Sequence, residues 1–353
     1  MSNARKESRS SNTVIRIVCE GEKTEPRFFT ALCEDYYSEK EDFDIRTIPI
    51  ADIPEEEIKN TTRGKYKGKT RQVREGKDCP DEIITGPPPL KWVKKAKQLL
   101  KDGIDEAWAV YDKDNHPTHK EAFEEAEEPI DGKKVNIAFS SRSFEYYLLL
   151  HFEYLYKEFN ETDCGEKING KKVIYRCGSN TNENDCHGEN CINGYAREHG
   201  YWQDSKREAT YPIVKDRLLT GLINAARLRA ESNHKTNAPI FERNPYTSVD
   251  RLIGRLIGKE TVNIDEEYFI ERESLTFILH SDNLEIKNSG EKIDIVDKSQ
   301  LSIINLSEMT CRQMVDKNLI IVPGKQVNIP YSSNNNECIC YNRNAKELYF
   351  VPW

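Results

Sequence analysis

Long apolar runs are missing from the sequence: its 353 positions hold no stretch of 18 consecutive apolar residues. That excludes an ordinary membrane-spanning helix. Met1 to Asn12 contain no apolar core, which argues against a secretory signal. A cytoplasmic protein with a loose polar tail over residues 1–12 is expected. Positive charge is also in deficit, with a formal net charge of −8, so any nucleic-acid partner must be held by a local basic patch. Without a secretion signal, the ten cysteines argue for free thiols or metal ligands rather than a disulfide framework. Apolar residues make up only 37% and charged residues 32%. Even so, Tyr, Phe, Trp, Ile, Leu and Val recur in periodic blocks, and the length leaves room for two or three domains with real cores.

What is present first is an alternation of strands and helices. Thr13 to Cys19 is a β-branched run of strand length. Glu20 to Pro26 breaks it, and Phe28, Phe29, Leu32 and Tyr36 then recur at helical spacing behind Pro26. Phe43 to Ile50 alternates in period two. Leu90 to Lys101 predicts an amphipathic helix with Trp92, Val93, Ala96, Leu99 and Leu100 inward. Glu106 to Asp112 is an apolar strand, a helix follows near His119 to Glu128, and Val135 to Phe139 precedes a helix capped by Ser143. Such an order favours an α/β fold: a parallel sheet flanked by helices, with its chemistry at the C-terminal strand ends.

Those ends carry acids. Glu20 follows the first strand, Asp112 and Asp114 follow the third, and Glu145 opens the helix after the fourth. In an extended backbone, side chains two apart point to the same side, so Asp112 and Asp114 are expected to emerge together. Carboxylate oxygens in this number suit Mg²⁺ or Mn²⁺, which keep waters and accept phosphate oxygens. The bland readings are a solvated loop for the aspartate pair and a helix-dipole partner for Glu145. His151 falls on the apolar face of its helix and reads as a buried histidine. Lys23 and Lys113 are either phosphate ligands or solvated loop lysines.

Between Lys59 and Lys77, eight cations face one acid, Glu75. Lys59, Arg63, Lys65, Lys67, Lys69, Arg71 and Arg74 are the expected nucleic-acid contacts, with Tyr66 as a stacking surface and glycines keeping the backbone mobile. Residues 158–206 form an insertion rich in Asn, Gly and Cys. Cys164, Cys177, Cys186 and Cys191 lie within 28 residues, and the alternatives there are a structural Zn²⁺ site or free thiols. Tyr211 to Glu231 predicts one long helix, and Val249 to Ile257 another that Gly258 ends. From residue 259 to 353 the chain changes to six short strands, an all-β sandwich or barrel.

Three blocks together resemble the RloB family: Val18 to Pro26, Tyr111 to Pro117, and Ser140 to Phe152. The likeness resumes at Asn244 to Val249, so it covers residues 13–258 around the insertion. The resemblance implies a TOPRIM-type fold and a role in phage defence, often beside an ABC-type ATPase partner. It implies that Glu20 acts as general acid or base and that Asp112 and Asp114 bind the metal. Glu145 and His151 match its third block, and Tyr211 with Lys215 approximate a downstream aromatic-and-lysine motif. The expectation is a Mg²⁺-dependent nuclease cutting RNA, transfer RNA included, or DNA. The alternative is a non-catalytic nucleic-acid-binding or sensor module acting with the ATPase. The oligomeric state and the role of the C-terminal β domain stay open.

Overall fold

The computed structural model describes residues 13–21, 23–37, 43–48, 88–114, 116–163, 167–168, 171–172, 190–203, 205, 209–263, 267–270, 275–280, 282–306, 308, 310–331, 337–343 and 346–351. The chain divides into two compact units, residues 1–111 with 116–137, and residues 112–115 with 138–353.

In the first unit, β1 (Thr13–Cys19), α1 (Thr24–Tyr37), β2 (Phe43–Ile48), α2 (Leu90–Lys101), β3 (Glu106–Asp112) and α3 (His119–Glu127) follow in order. β1 pairs in parallel with β2 on one side and with β3 on the other. Ala107, Trp108, Ala109, Val110 and Tyr111 are all buried, the continuous apolar pattern of a strand covered on both faces. Phe28, Phe29 and Leu32 of α1 are fully buried, and α2 buries Trp92, Val93, Ala96 and Leu100 along one stripe. Lys97, on the flank of that stripe, donates to the Glu128 carboxylate beyond α3 at 2.9 Å.

The second unit begins within β4 (Asn136–Ser141) and continues with α4 (Phe144–Leu149), β5 (Lys167–Ile168), β6 (Lys171–Lys172), α5 (Ile192–Glu198), α6 (Thr210–Val214), α7 (Leu218–Lys235), β7 (Tyr246–Thr247) and α8 (Val249–Ile257). β7 pairs antiparallel with β4, so the strands are not all parallel. The long helix expected from Tyr211 to Glu231 is interrupted by a 3₁₀ turn at Lys215–Arg217. Those three residues are exposed while Val214 and Leu218 on either side are buried. The apolar spacing across the break stays helical, which hides it from a periodicity reading. α8 has the expected bounds, and Gly258 ends it in a left-handed conformation at φ 72°.

From Lys259 the unit is built of strands: β8 (Lys259–Asn263), β9 (Glu267–Ile270), β10 (Leu275–Leu279), β11 (Asn283–Asn288), β12 (Asp294–Val296), β13 (Leu301–Asn305), β14 (Thr310–Gln313), β15 (Leu319–Ile321), β16 (Gln326–Pro330), β17 (Glu337–Arg343) and β18 (Lys346–Val351). One sheet has the order β16-β11-β10-β9, another β14-β13-β17-β18-β8, and β12 with β15 forms a separate ribbon. Both sheets contribute to one core, in which the Phe277 ring lies 4.6 Å from that of Tyr341 and 5.5 Å from that of Phe350. Cys338 and Cys340 are buried on the other face of β17, where they pack with Ile223 and Ala226 of α7 as small apolar side chains.

Candidate metal centre at the strand ends

The site is built outward from β1 and β3. The Glu20 N–H donates to the Val110 carbonyl at 2.8 Å, which fixes the residue leaving β1 beside the last turnless stretch of β3. The next residue, Gly21, leaves room for Glu25: a Cβ at Gly21 would meet the Glu25 Oε2 at 2.0 Å. Glu25 is itself buried in the first turn of α1, where a carboxylate complements the helix N-terminus. Burial, and then the nearby Glu20 carboxylate, push the Tyr111 hydroxyl well above its ordinary value and keep it protonated. Burial and then Glu25 act in the same direction on the Cys19 thiol.

Asp112 is the last residue of β3 and is half-buried. Beyond it the Lys113 N–H donates to the Ser140 carbonyl at 2.8 Å. The Lys113 ammonium donates to the Glu242 carbonyl. Desolvation, followed by the Arg142 charge, lowers the Lys113 pKa. Lys113 is therefore committed to a backbone partner, while Lys23 is exposed in the loop after β1.

Glu20, Asp114 and His116 each present one ligand atom, and these atoms lie within 4.8 Å of one another. Two of the expected acids thus come together with a histidine that spacing had left without a role. Asp112 is not in this group. The strand ends at Asp112, so the period-two alternation that would align it with Asp114 stops applying one residue too early. A readable signal for His116 was its position two residues after Asp114, in a turn beginning with a metal-type aspartate pair. Glu20 and Asp114 are half-buried and His116 is exposed, which leaves an entry for a phosphate oxygen or water. Two carboxylates and an imidazole suit a divalent cation that accepts mixed oxygen and nitrogen donors.

Other expected residues are placed elsewhere. Glu145 is buried in the first turn of α4, and both its oxygens accept from hydroxyls, Ser143 Oγ at 2.7 Å and Ser205 Oγ at 2.8 Å. His151 is fully buried; its Nδ1 donates to the Tyr147 carbonyl at 3.0 Å, and its ring meets that of Tyr147 edge-on. Desolvation, the largest influence, lowers the His151 pKa to about 4. Tyr211 is buried and Lys215 exposed. Cys191 is buried at the start of α5, whereas Cys164, Cys177 and Cys186 lie outside the described residues. So do Lys59, Arg63, Lys65, Lys67, Lys69, Arg71 and Arg74. Among the described residues no helix is long and apolar enough to cross a membrane.

The family model described as RloB-like protein matches residues 15–256, more than half of the chain. No curated protein and no solved structure matches it.

Proposed function

Because the chain belongs to the RloB-like family, we propose that it is a metal-dependent nuclease that hydrolyses phosphodiester bonds of RNA, transfer RNA included, or of DNA, in antiphage defence. The observation that carries this reading is the convergence of Glu20, Asp114 and His116 at one strand edge. On the same reading the α/β part is TOPRIM-like and the ion is Mg²⁺ or Mn²⁺. The imidazole widens the choice toward Mn²⁺, because nitrogen donors suit transition metals better than Mg²⁺.

Glu20, Asp114 and His116 hold the ion, and a bound divalent cation supplies Lewis acidity toward a phosphoryl oxygen. Glu20 also moves the proton of the attacking or leaving oxygen. Asp112 adds a carboxylate two residues before Asp114 and belongs among the residues to test. The exposed Lys23 and the cations from Lys59 to Lys77 neutralise backbone phosphates. A structural Zn²⁺ on Cys164, Cys177, Cys186 and Cys191, and an ABC-type ATPase partner, complete the proposal.

Purified full-length protein is incubated with Mg²⁺ or Mn²⁺ and separate pools of DNA, messenger RNA and transfer RNA. Cleavage by the protein alone, lost in Asp114→Asn, is the expected result. Binding without turnover in every condition would favour a sensor module and overturn the nuclease reading.

A further inference from the structure

Lys113 stands between the two aspartates of the strand end, and both its backbone and its side chain are held. Its backbone N–H donates to the Ser140 carbonyl of β4 at 2.8 Å. Its ammonium donates to the Glu242 carbonyl and, at 3.4 Å, to the Arg243 carbonyl. These acceptors lie 129 and 130 residues further along the chain. A solvated loop lysine would leave its ammonium in water, and a lysine reserved for phosphate would turn it toward the substrate. Here it is directed at two successive backbone carbonyls.

The carbonyls belong to a segment that is itself fixed. Ile240–Glu242 is a 3₁₀ turn, with the Glu242 N–H on the Pro239 carbonyl at 2.9 Å and the Arg243 N–H on the Ile240 carbonyl at 3.1 Å. The Arg243 Nε–H donates to the Ala238 carbonyl at 2.8 Å, and the Asn244 side-chain amide donates to the Phe159 carbonyl at 3.0 Å. Tyr246 and Thr247 then form β7, which pairs with Ser141 and Ser140 of β4. The Ser140 and Thr247 hydroxyls share a hydrogen bond of 2.7 Å. These contacts close a ring. It runs from the Lys113 backbone to β4, across to β7, back through the turn, and from the turn's carbonyls to the Lys113 ammonium.

Asp112 ends β3, so Asp114 stands past the strand, where the period-two order of a sheet no longer sets its direction. The ring around Lys113 carries order one residue beyond that end. Groups that hold and orient a metal ligand matter nearly as much as the ligand, and their loss costs ~10–100-fold in metal affinity or activity. Taking Asp114 as a ligand of the ion, as the proposed function does, we infer that Lys113 is a positioning residue: it fixes the turn from which Asp114 presents its carboxylate. Its neighbour on the strand, Asp112, is held by the same ring from the other side of Lys113.

The test is Mn²⁺ titration of the full chain followed by electron paramagnetic resonance, with a melting curve on each protein. Wild type is compared with Lys113→Met, Lys113→Arg and Asp114→Asn. The methionine keeps an aliphatic stem and removes the donor, and the arginine restores a cationic donor of similar reach. Should Lys113→Met fail to fold, Lys113→Gln, polar but too short to reach the turn, is measured in its place. The expected result is Mn²⁺ binding weakened at least ~10-fold in Lys113→Met and largely recovered in Lys113→Arg, with Asp114→Asn weakened as well. A lysine that merely staples the turn would give a lower melting temperature in Lys113→Met and wild-type Mn²⁺ affinity. That result, with Asp114→Asn still losing the ion, would overturn the positioning role and leave the metal centre standing. Equal weakening in the methionine and arginine variants would overturn it too. Unchanged binding in all the variants, Asp114→Asn included, would overturn the metal centre itself and the positioning role with it.

Discussion

The Glu20 N–H and the Val110 carbonyl are joined at 2.8 Å, so the acid that leaves β1 is held by backbone to the strand that delivers Asp112. Its side chain is free to be changed without touching that bond. Glu20→Gln is expected to reduce metal-dependent cleavage by at least ~100-fold, the range of general acid–base contributions. Because the residue is half-buried at a strand end, stability should move by no more than ~0.5 kcal/mol. Initial rates and a denaturation curve on the same preparation check both halves.

His116 is expected to set the ion preference. Replacing it with Asp makes the donor set all-oxygen, so the ratio of activity with Mg²⁺ to activity with Mn²⁺ should rise severalfold. Cleavage rates measured with each ion alone give that ratio directly.

Gly221 of α7 lies against His151: a Cβ there would sit 2.6 Å from the His151 Nε2. Gly221→Ala is therefore expected to cost ~1–3 kcal/mol by overpacking. In the double variant with His151→Ala the cost should fall below the sum of the two single changes by ~0.5 kcal/mol or more. Urea denaturation of the four proteins supplies the cycle.

The same histidine predicts an acid limb of stability. Its folded pKa of about 4 lies below the ordinary value of 6.5, so between those pH values the unfolded chain binds the proton and the folded chain does not. Stability is full above pH 6.5 and falls as pH drops toward 4, by at most ~1.4 kcal/mol per pH unit from this group. Denaturant midpoints between pH 4 and 7 should show a shallower slope in His151→Gln.

Arg229 and Asp250 form a buried ion pair between α7 and α8, with side chains 4% and 0% exposed. Removing one partner leaves a buried charge, so Arg229→Met should cost ~3–5 kcal/mol. Arg229→Met with Asp250→Leu should cost less than that single change, which thermal denaturation of both variants measures.

Strong periodicity made α2 and α8 legible to the residue, because Trp92, Val93, Ala96 and Leu100, and likewise Val249, Leu252, Ile253 and Leu256, form unbroken buried stripes. The pair of residues in β7 was too short to show a period. α5 was hidden in a polar insertion where Cys191, Ile192 and Ala196 are its few buried apolar side chains. β14 escaped because all four of its residues are exposed, leaving no alternation to read. At the site, Glu20 and Asp114 were readable from their places after strands. Asp112 was aligned with them on an extended backbone that in fact ends at that residue. His116 needed the turn after β3 to become visible, since only the folded chain brings its ring to Glu20.

Mn²⁺ binding tests the central claim most directly. Titration of the full chain followed by electron paramagnetic resonance, with wild type, Glu20→Gln, Asp114→Asn and His116→Ala compared at equal protein, reports the site without relying on a substrate. The account predicts saturable binding by wild type, weakened at least ~10-fold in each variant. Equal binding by wild type and all three variants would contradict it.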